Sequence, residues 1–265
     1  MFKFLNSHTP GRLGRALGLA LATAAAFIHL SGCVEFKKEM VADDSLLLNK
    51  ANNFFARSRF NQATDSYRKL VEGYPDSSYK KVGLIGLADS LYKEGQFEEA
   101  DLYYSRFVEL YPLDEMTPRA LFYFGMSQVM LTSTPDRSQT KTKTAINVFD
   151  EFTRRYPDNN LTPSAAWHKK QMEAMLAESK LEVARFYHRT GRNAAAISRL
   201  RELLEENSAS SDAPEAMFLL GECLMREQAY KRAAEVFTVL IGAHPDSPWA
   251  LKARAAANKL TLKAG

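Results

Sequence analysis

Four short turns recur along this chain, and their spacing restricts the fold more than any other feature. "GYPDSSY" at 73–79, "LYPLDE" at 110–115, "RYPDNN" at 155–160 and "AHPDSP" at 243–248 are variants of one turn. Tyr74 and Tyr111 lie 37 residues apart, as do Asn207 and His244, whereas Tyr111 and Tyr156 lie 45 apart. From Leu46 onward strand patterns are missing, and apolar residues follow the helical period between widely spaced Pro and Gly punctuation. A unit of this length cannot bury its apolar face alone. Stacked copies bury a continuous core, so the period predicts a helical solenoid.

The clearest unit is "LIGLADSLYKEGQFEEADLYYSRFVELYP", residues 84–112. It resembles a tetratricopeptide repeat at Leu87, Ala88, Gly95, Ala100, Tyr104 and Pro112. Small Ala88 and Ala100 let two antiparallel helices approach closely. Gly95 ends the first helix, Tyr104 and Phe107 fill the groove to the next pair, and Pro112 stops the second helix. The frame recurs with Ala51, Phe54, Ala63, Tyr67, Leu70 and Pro75; with Gly125, Ala145, Phe149, Phe152 and Pro157; with Ala184, Gly191, Ala196, Leu200 and Leu203; and with Gly221, Leu224, Ala233, Phe237, Leu240 and Pro245. The expected fold is therefore all-α: a right-handed α-solenoid of about five tetratricopeptide repeats over residues 45–262. A helix near 248–262 is expected to cap it. Two departures stand out. Repeat three carries "TSTPDRSQTKTKT", residues 132–144, between its helices. Repeat four opens with a pattern for one long helix over about 163–190, which should join two parts of the array.

The N-terminus reads as an address. Lys3, Arg12 and Arg15 precede the apolar run "ALGLALATAAAFIHL", which is the length of a signal-peptide core and short for a membrane span. The run closes on "LSGC", which resembles the bacterial lipobox. That resemblance implies a signal peptide over residues 1–32, cleavage before Cys33, and a diacylglycerol on the Cys33 thiol. Residues 33–44 would then form a lipidated tether. Several acyl chains anchor stably where one is marginal. The residue after the cysteine is Val34 and not the Asp that retains lipoproteins in the inner membrane, so the resemblance points to the periplasmic face of the outer membrane.

The sequence carries no recognisable catalytic or metal-binding pattern. His168 and His188 do not form a metal-ligand pair such as HExxH, and there is no GxSxG, P-loop or GxGxxG. The histidines, His244 included, are expected at the surface or in turns, and Cys223 in "FLLGECLM" as a buried small hydrophobe. No enzyme, cofactor or metal site is expected. Tyr103, Tyr104, Phe122, Tyr123 and Phe124 read mainly as packing between repeats. After residue 32 there are 32 basic and 31 acidic side chains, so no basic excess suggests nucleic acid. Charge is uneven, however. Residues 137–201 hold thirteen bases and six acids, among them Arg185, Arg189, Arg192, Arg199 and Arg201. That segment is a solvated surface or a steering patch for an acidic protein partner.

Lipobox, tether and five repeats, with the insert followed by "AINVFDEFTRRYPDNN" and the long helix, resemble the BamD family, lipoproteins of the outer-membrane β-barrel assembly machinery. The similarity runs from about Leu46 to Ile241 and is weaker in "SASSDAPEAMFLLGECLM". It implies a non-enzymatic scaffold. The C-terminal repeats would dock on periplasmic domains of a BamA-like barrel insertase, alongside other assembly lipoproteins. An N-terminal groove would receive unfolded outer-membrane proteins. Arg199 aligns with a family arginine at the insertase interface, Arg192 lies in the same basic segment, and Tyr79 falls at the N-terminal groove. The alternative is another tetratricopeptide lipoprotein, such as a secretin pilotin or a cell-wall synthesis adaptor.

Overall fold

A computed structural model describes residues 43–132, 138–206 and 210–264. The expected signal peptide, Cys33 and most of the tether lie outside the described residues. Eleven α-helices follow one another in that span: α1 (Asp44–Ala56), α2 (Phe60–Gly73), α3 (Lys80–Lys93), α4 (Phe97–Leu110), α5 (Thr117–Met130), α6 (Thr140–Arg155), α7 (Thr162–Arg189), α8 (Asn193–Glu206), α9 (Ala213–Arg226), α10 (Tyr230–Ala243) and α11 (Pro248–Ala264). Among the described residues there is no strand. Each helix packs chiefly on the next, which is the contact pattern of a solenoid. The pairs α1–α2, α3–α4, α5–α6, α7–α8 and α9–α10 are the five repeats, and α11 covers the last.

The repeat frame is a set of completely buried residues. Ala51, Ala88 and Ala184 on the first helices, and Ala63, Ala100, Ala145, Ala196 and Ala233 on the second, have no exposed surface. Gly125 and Gly221 hold the first-helix position in repeats three and five. A methyl group on Gly125 would fall 2.7 Å from Phe149 Cε1, and one on Gly221 2.3 Å from Phe237 Cε1. Small residue and large ring are therefore one unit: the ring occupies the space a side chain would need.

The turns between repeats are built alike. Tyr74, Tyr111, Tyr156 and His244 each precede proline, which excludes the helical region for them. Their backbone angles agree closely, with φ between −130° and −135° and ψ between 56° and 69°. Three residues on, Ser77, Asp114, Asn159 and Ser247 accept the backbone N–H two residues further along, at 2.9–3.2 Å, and so close the turn that leads into the next helix.

The turns inside the repeats use a left-handed residue. Gly95 and Gly191 lie at φ 78° and 70°, but Ser58 and Gln228 occupy the equivalent places at 56° and 59°. In each case the following N–H bonds back to the carbonyl five residues earlier, as Gln96 does to Leu91 and Ala229 to Leu224, both at 2.9 Å. This is the helix-ending motif that glycine normally serves.

α7 has 28 residues, twice the length of most of its neighbours, as its sequence pattern predicts. Ala165 and Met172 in its first half, with Met175, join the core of repeat three. Ala177, Leu181 and Ala184 join the core of repeats four and five. The cores of repeats two and three share Val108, Tyr123 and Phe124. Repeats three and four are linked through α7 itself.

Two features expected at the surface are not there. His168 is half-buried, stacked on Phe149 (ring centroids 5.6 Å apart) and edge-on to Phe122 and Trp167. His188 is 13% exposed at the end of α7. Both positions face repeat neighbours, which overrides the polarity of the imidazole. Cys223 is completely buried, and burial raises its thiol pKa to about 11.

Three stability outcomes follow from this packing. Alanine favours a helix by about 1 kcal/mol over glycine, but overlap with a buried ring costs up to about 3 kcal/mol. Gly221→Ala is expected to lower stability by about 1–2 kcal/mol on balance, and thermal melts read this as a Tm several degrees lower. Gln228→Gly should do the reverse. Relief of a left-handed side chain exceeds the added chain entropy by about 0.5–1 kcal/mol, so an unchanged or lower Tm would contradict the cap geometry. Burial depresses the pKa of His168. The neutral imidazole therefore adds stability that is complete above its unfolded value of about 6.5 and is lost as pH falls through the folded value. Tm should drop between pH 7.5 and 5.5, and His168→Gln should flatten that drop.

Candidate functional site

In the N-terminal repeats Tyr79 ends the first turn, 37% exposed, beside Val82, 38% exposed at the start of α3. Ser77 fixes its backbone N–H at 3.1 Å. The next residue pair is committed to structure. Lys81 donates to Asp114 at 2.6 Å, which joins one turn between repeats to the next and raises the lysine pKa. Arg68 reaches Glu99 at 2.7 Å and the Tyr103 hydroxyl at 3.2 Å.

Further along α3, Asp89 accepts the Tyr104 hydroxyl at 2.6 Å and Arg119 of α5 at 2.9 Å. Burial, and then the Asp89 charge, hold the Tyr104 hydroxyl protonated far above the ordinary tyrosine pKa. An equivalent bond runs from Tyr67 to Asn52, also at 2.6 Å. In the N-terminal half these tyrosines are buried, and Tyr79, Val82 and Met130 are among the exposed apolar residues.

In the C-terminal repeats the basic segment divides in two. Arg185 is spent internally. Its Nε and Nη2 bind both oxygens of Glu215 at 2.7 and 2.8 Å, and Nη1 reaches Glu178 at 2.7 Å and Glu182 at 2.5 Å. The bond to Glu215 is the leading cause of its raised pKa. Arg185 is therefore withdrawn from the steering patch that composition suggests. Asp89–Arg119 and Arg185–Glu215 join the same two repeat positions, thirty residues apart, with charges exchanged. Neither pair was foreseen, although the repeat register together with complementary charge contains the signal.

The rest of the basic segment faces outward. Arg189, Arg192 and Arg201 are exposed. Arg199 is 53% exposed on α8 and pairs at 3.0 Å with Glu202, which Lys180 also approaches at 3.4 Å. Arg192 lies in the turn just before α8, and Arg199 lies seven residues on, in the middle of α8. Beside them Ala194, Ile197, Ser198, Arg201, Glu202 and Glu205 line a shallow hollow of about 440 Å³. The imidazole of His188 closes this end of α7. Its Nε2 lies 3.1 Å from Glu222, and burial followed by the Arg226 charge lowers its pKa. Tyr79 belongs elsewhere: α3 packs on α1, α2 and α4, and α8 on α7 and α9, so the structure makes two separate surfaces.

Among the described residues no group of His, Cys, Asp and Glu side chains could hold a metal ion. No helix among them is long and apolar enough to cross a membrane. The described residues present exposed helical surface of mixed charge.

The comparisons with known proteins agree with the repeat frame. A tetratricopeptide-repeat profile matches residues 215–247, which is repeat five. The outer membrane protein assembly factor BamD of Xylella fastidiosa is 27% identical over 247 residues, covering 88% of this chain and 83% of its own length. The factor of the same name from Caulobacter vibrioides is 24% identical, covering 87% of this chain and 77% of its own. Among solved structures, the TPR2AB-domain:pHSP90 complex of yeast Sti1 superposes with a TM-score of 0.42 at 16% identity, covering 82% of this chain and 84% of that one. The profile of the family described as outer membrane lipoprotein, YfiO, matches residues 41–224, more than half of the sequence and ending within α9, where the resemblance to BamD weakens. The chain belongs to the YfiO family of outer membrane lipoproteins.

Proposed function

We propose that this protein is a non-enzymatic scaffold of outer-membrane β-barrel assembly, held at the periplasmic face of the outer membrane by lipid on Cys33. The observation that carries this reading is the family match over 41–224, joined to relatives named as assembly factors that align along most of both chains. In this reading the C-terminal repeats dock on the periplasmic domains of the barrel insertase and on other assembly lipoproteins. Arg192 and Arg199 are the proposed contacts there: both are exposed, Arg192 in the turn before α8 and Arg199 on α8. The N-terminal repeats receive unfolded outer-membrane proteins, with Tyr79 at the entrance. An extended client gains main-chain and side-chain contacts from a surface that is already formed, which limits the ordering cost to the client.

The surface setting of Arg199 makes the docking reading testable. An exposed ion pair contributes about 0–1 kcal/mol to stability. Arg199→Glu should therefore leave the Tm nearly unchanged while co-purification of the insertase from detergent-solubilised outer membrane falls. Undiminished recovery would remove Arg199 from the interface. Recovery by the unaltered chain of a secretin or a cell-wall synthase, without an insertase, would overturn the assembly reading. Cys33→Ala should release the chain from the membrane fraction into the periplasm, and continued membrane retention would exclude lipid on Cys33 as the anchor.

A further inference from the structure

The displacement of repeats four and five along α7 leaves one helical face without the cover it has everywhere else. In each repeat, two residues of the first helix face the second helix of the preceding repeat. They are Leu87 and Ser90 on α3, Phe124 and Ser127 on α5, and Leu220 and Cys223 on α9. Phe124 is partly buried and the other five are buried. The covering helices are α2, α4 and α8. The same two places on α7 are Val183 and Phe186, which are 43% and 49% exposed.

The reason is geometric. α6 runs beside the first half of α7, and its N-terminal Thr142 meets Met175. Ser179 is still buried, but α7 continues past α6 to Arg189. Residues 183–189 thus run about 10 Å at 1.5 Å per residue, with Val183 and Phe186 on the open side. The first repeat supplies an internal comparison, because among the described residues no repeat precedes it in the array. There the two places are Lys50 and Asn53, both polar and exposed, with Leu46 as an apolar neighbour. The α1 face is polar at these places. The α7 face is apolar.

Charge indicates what covers it. Arg189 lies one turn beyond Phe186, Arg192 lies in the turn that follows, and Lys143 lies in the first turn of α6. All three are exposed, and none forms an ion pair among the described residues. Glu182, the acid nearest in sequence, is already held by Arg185.

We infer that the open face of α7 at Val183 and Phe186 docks an acidic amphipathic helix of a partner protein, seated where a preceding repeat would place its second helix. The partner presents two turns of apolar side chains to Val183 and Phe186 and carboxylates to Arg189 and Lys143. Stacking in this register reuses the packing of the other repeats, and the unpaired cations select for acidic helices and against basic ones. This surface is independent of the assembly role and differs from the Arg199 surface on α8.

The test uses the full lipidated chain in its own envelope. A photo-crosslinking amino acid is placed at position 183, at 186 and, as the control, at 53. The attached peptide is then sequenced by mass spectrometry. Adducts at 183 and 186, absent at 53, that map to an acidic helical segment of another protein are the expected result. An adduct to a second copy, to this chain's own residues, to lipid or to a non-acidic or extended segment overturns the inference, as does the absence of any adduct. Phe186→Asp should reduce co-purification of the crosslinked partner at least about tenfold, equivalent to 1.4 kcal/mol, and joint reversal of Lys143 and Arg189 to Glu should weaken it similarly. Val183→Ser serves if Phe186→Asp lowers the Tm. Unchanged recovery in these variants would also overturn the inference. None of these outcomes bears on Arg199→Glu, so the two docking readings fail separately.

Discussion

Everything in this molecule depends on how closely two helices of one repeat can approach. The approach is set by a small residue on the first helix and a small residue on the second, with a large ring or leucine one turn further on. At Gly221 the ring of Phe237 occupies the volume of the missing side chain, and at Ala88 and Ala184 a single methyl is all that fits. Close packing at native density makes this an exacting fit. It also fixes the angle at which each pair meets the next. A helical surface that lines up from repeat to repeat is possible only because this local distance is held in all five pairs.

The same logic shows what α7 does. An array of identical pairs would have one continuous core. Here the core changes hands between Met175 and Ala177, inside a single helix. The helix is long enough for its two halves to serve different neighbours, so repeats four and five are displaced along it. Displacement uncovers helical faces that stacking would hide, Val183 and Phe186 on one half and Trp167, 58% exposed, on the other. A solenoid ordinarily exposes its edges and ends. This one also exposes part of what would be interior, and that is where partner specificity can be added without disturbing the repeat frame.

Much of this was legible in the sequence, and the reason is periodicity. The Ala, Gly and aromatic frame, the Pro turns and the long helix each follow from spacing alone, since each residue type has one role at its place. The left-handed turns were only half legible. Gly95 and Gly191 announce themselves, but Ser58 and Gln228 adopt the same backbone with φ near 60°, because the surrounding hydrogen bonds impose it. Charge was least legible. Arg185 belongs by composition to a basic patch, yet it is enclosed by Glu178, Glu182 and Glu215, two of them on its own helix and one on α9. His168 was misplaced for a similar reason. A linear reading sees its polarity and not the Phe149 ring that lies across it.

The exchange of charge between Asp89–Arg119 and Arg185–Glu215 bears on how two surfaces share one scaffold. Both pairs tie the first helix of one repeat to the first helix of the next. Either polarity satisfies that structural need, so the choice is free to serve something else. In the N-terminal pair the carboxylate also holds the hydroxyl of a buried tyrosine, and the arginine lies over the Tyr123 ring, 5.2 Å from its centre. The result is a largely buried aromatic cluster in which charge is neutralised. In the C-terminal pair one arginine is surrounded by three carboxylates, and the unpaired cations Arg189 and Arg192 lie beyond them. The result is an ion-rich surface, where steering over distance counts for more than apolar contact. One structural position, filled in opposite ways, thus gives the two ends of a uniform repeat array different chemistry, and each end can hold a different kind of partner.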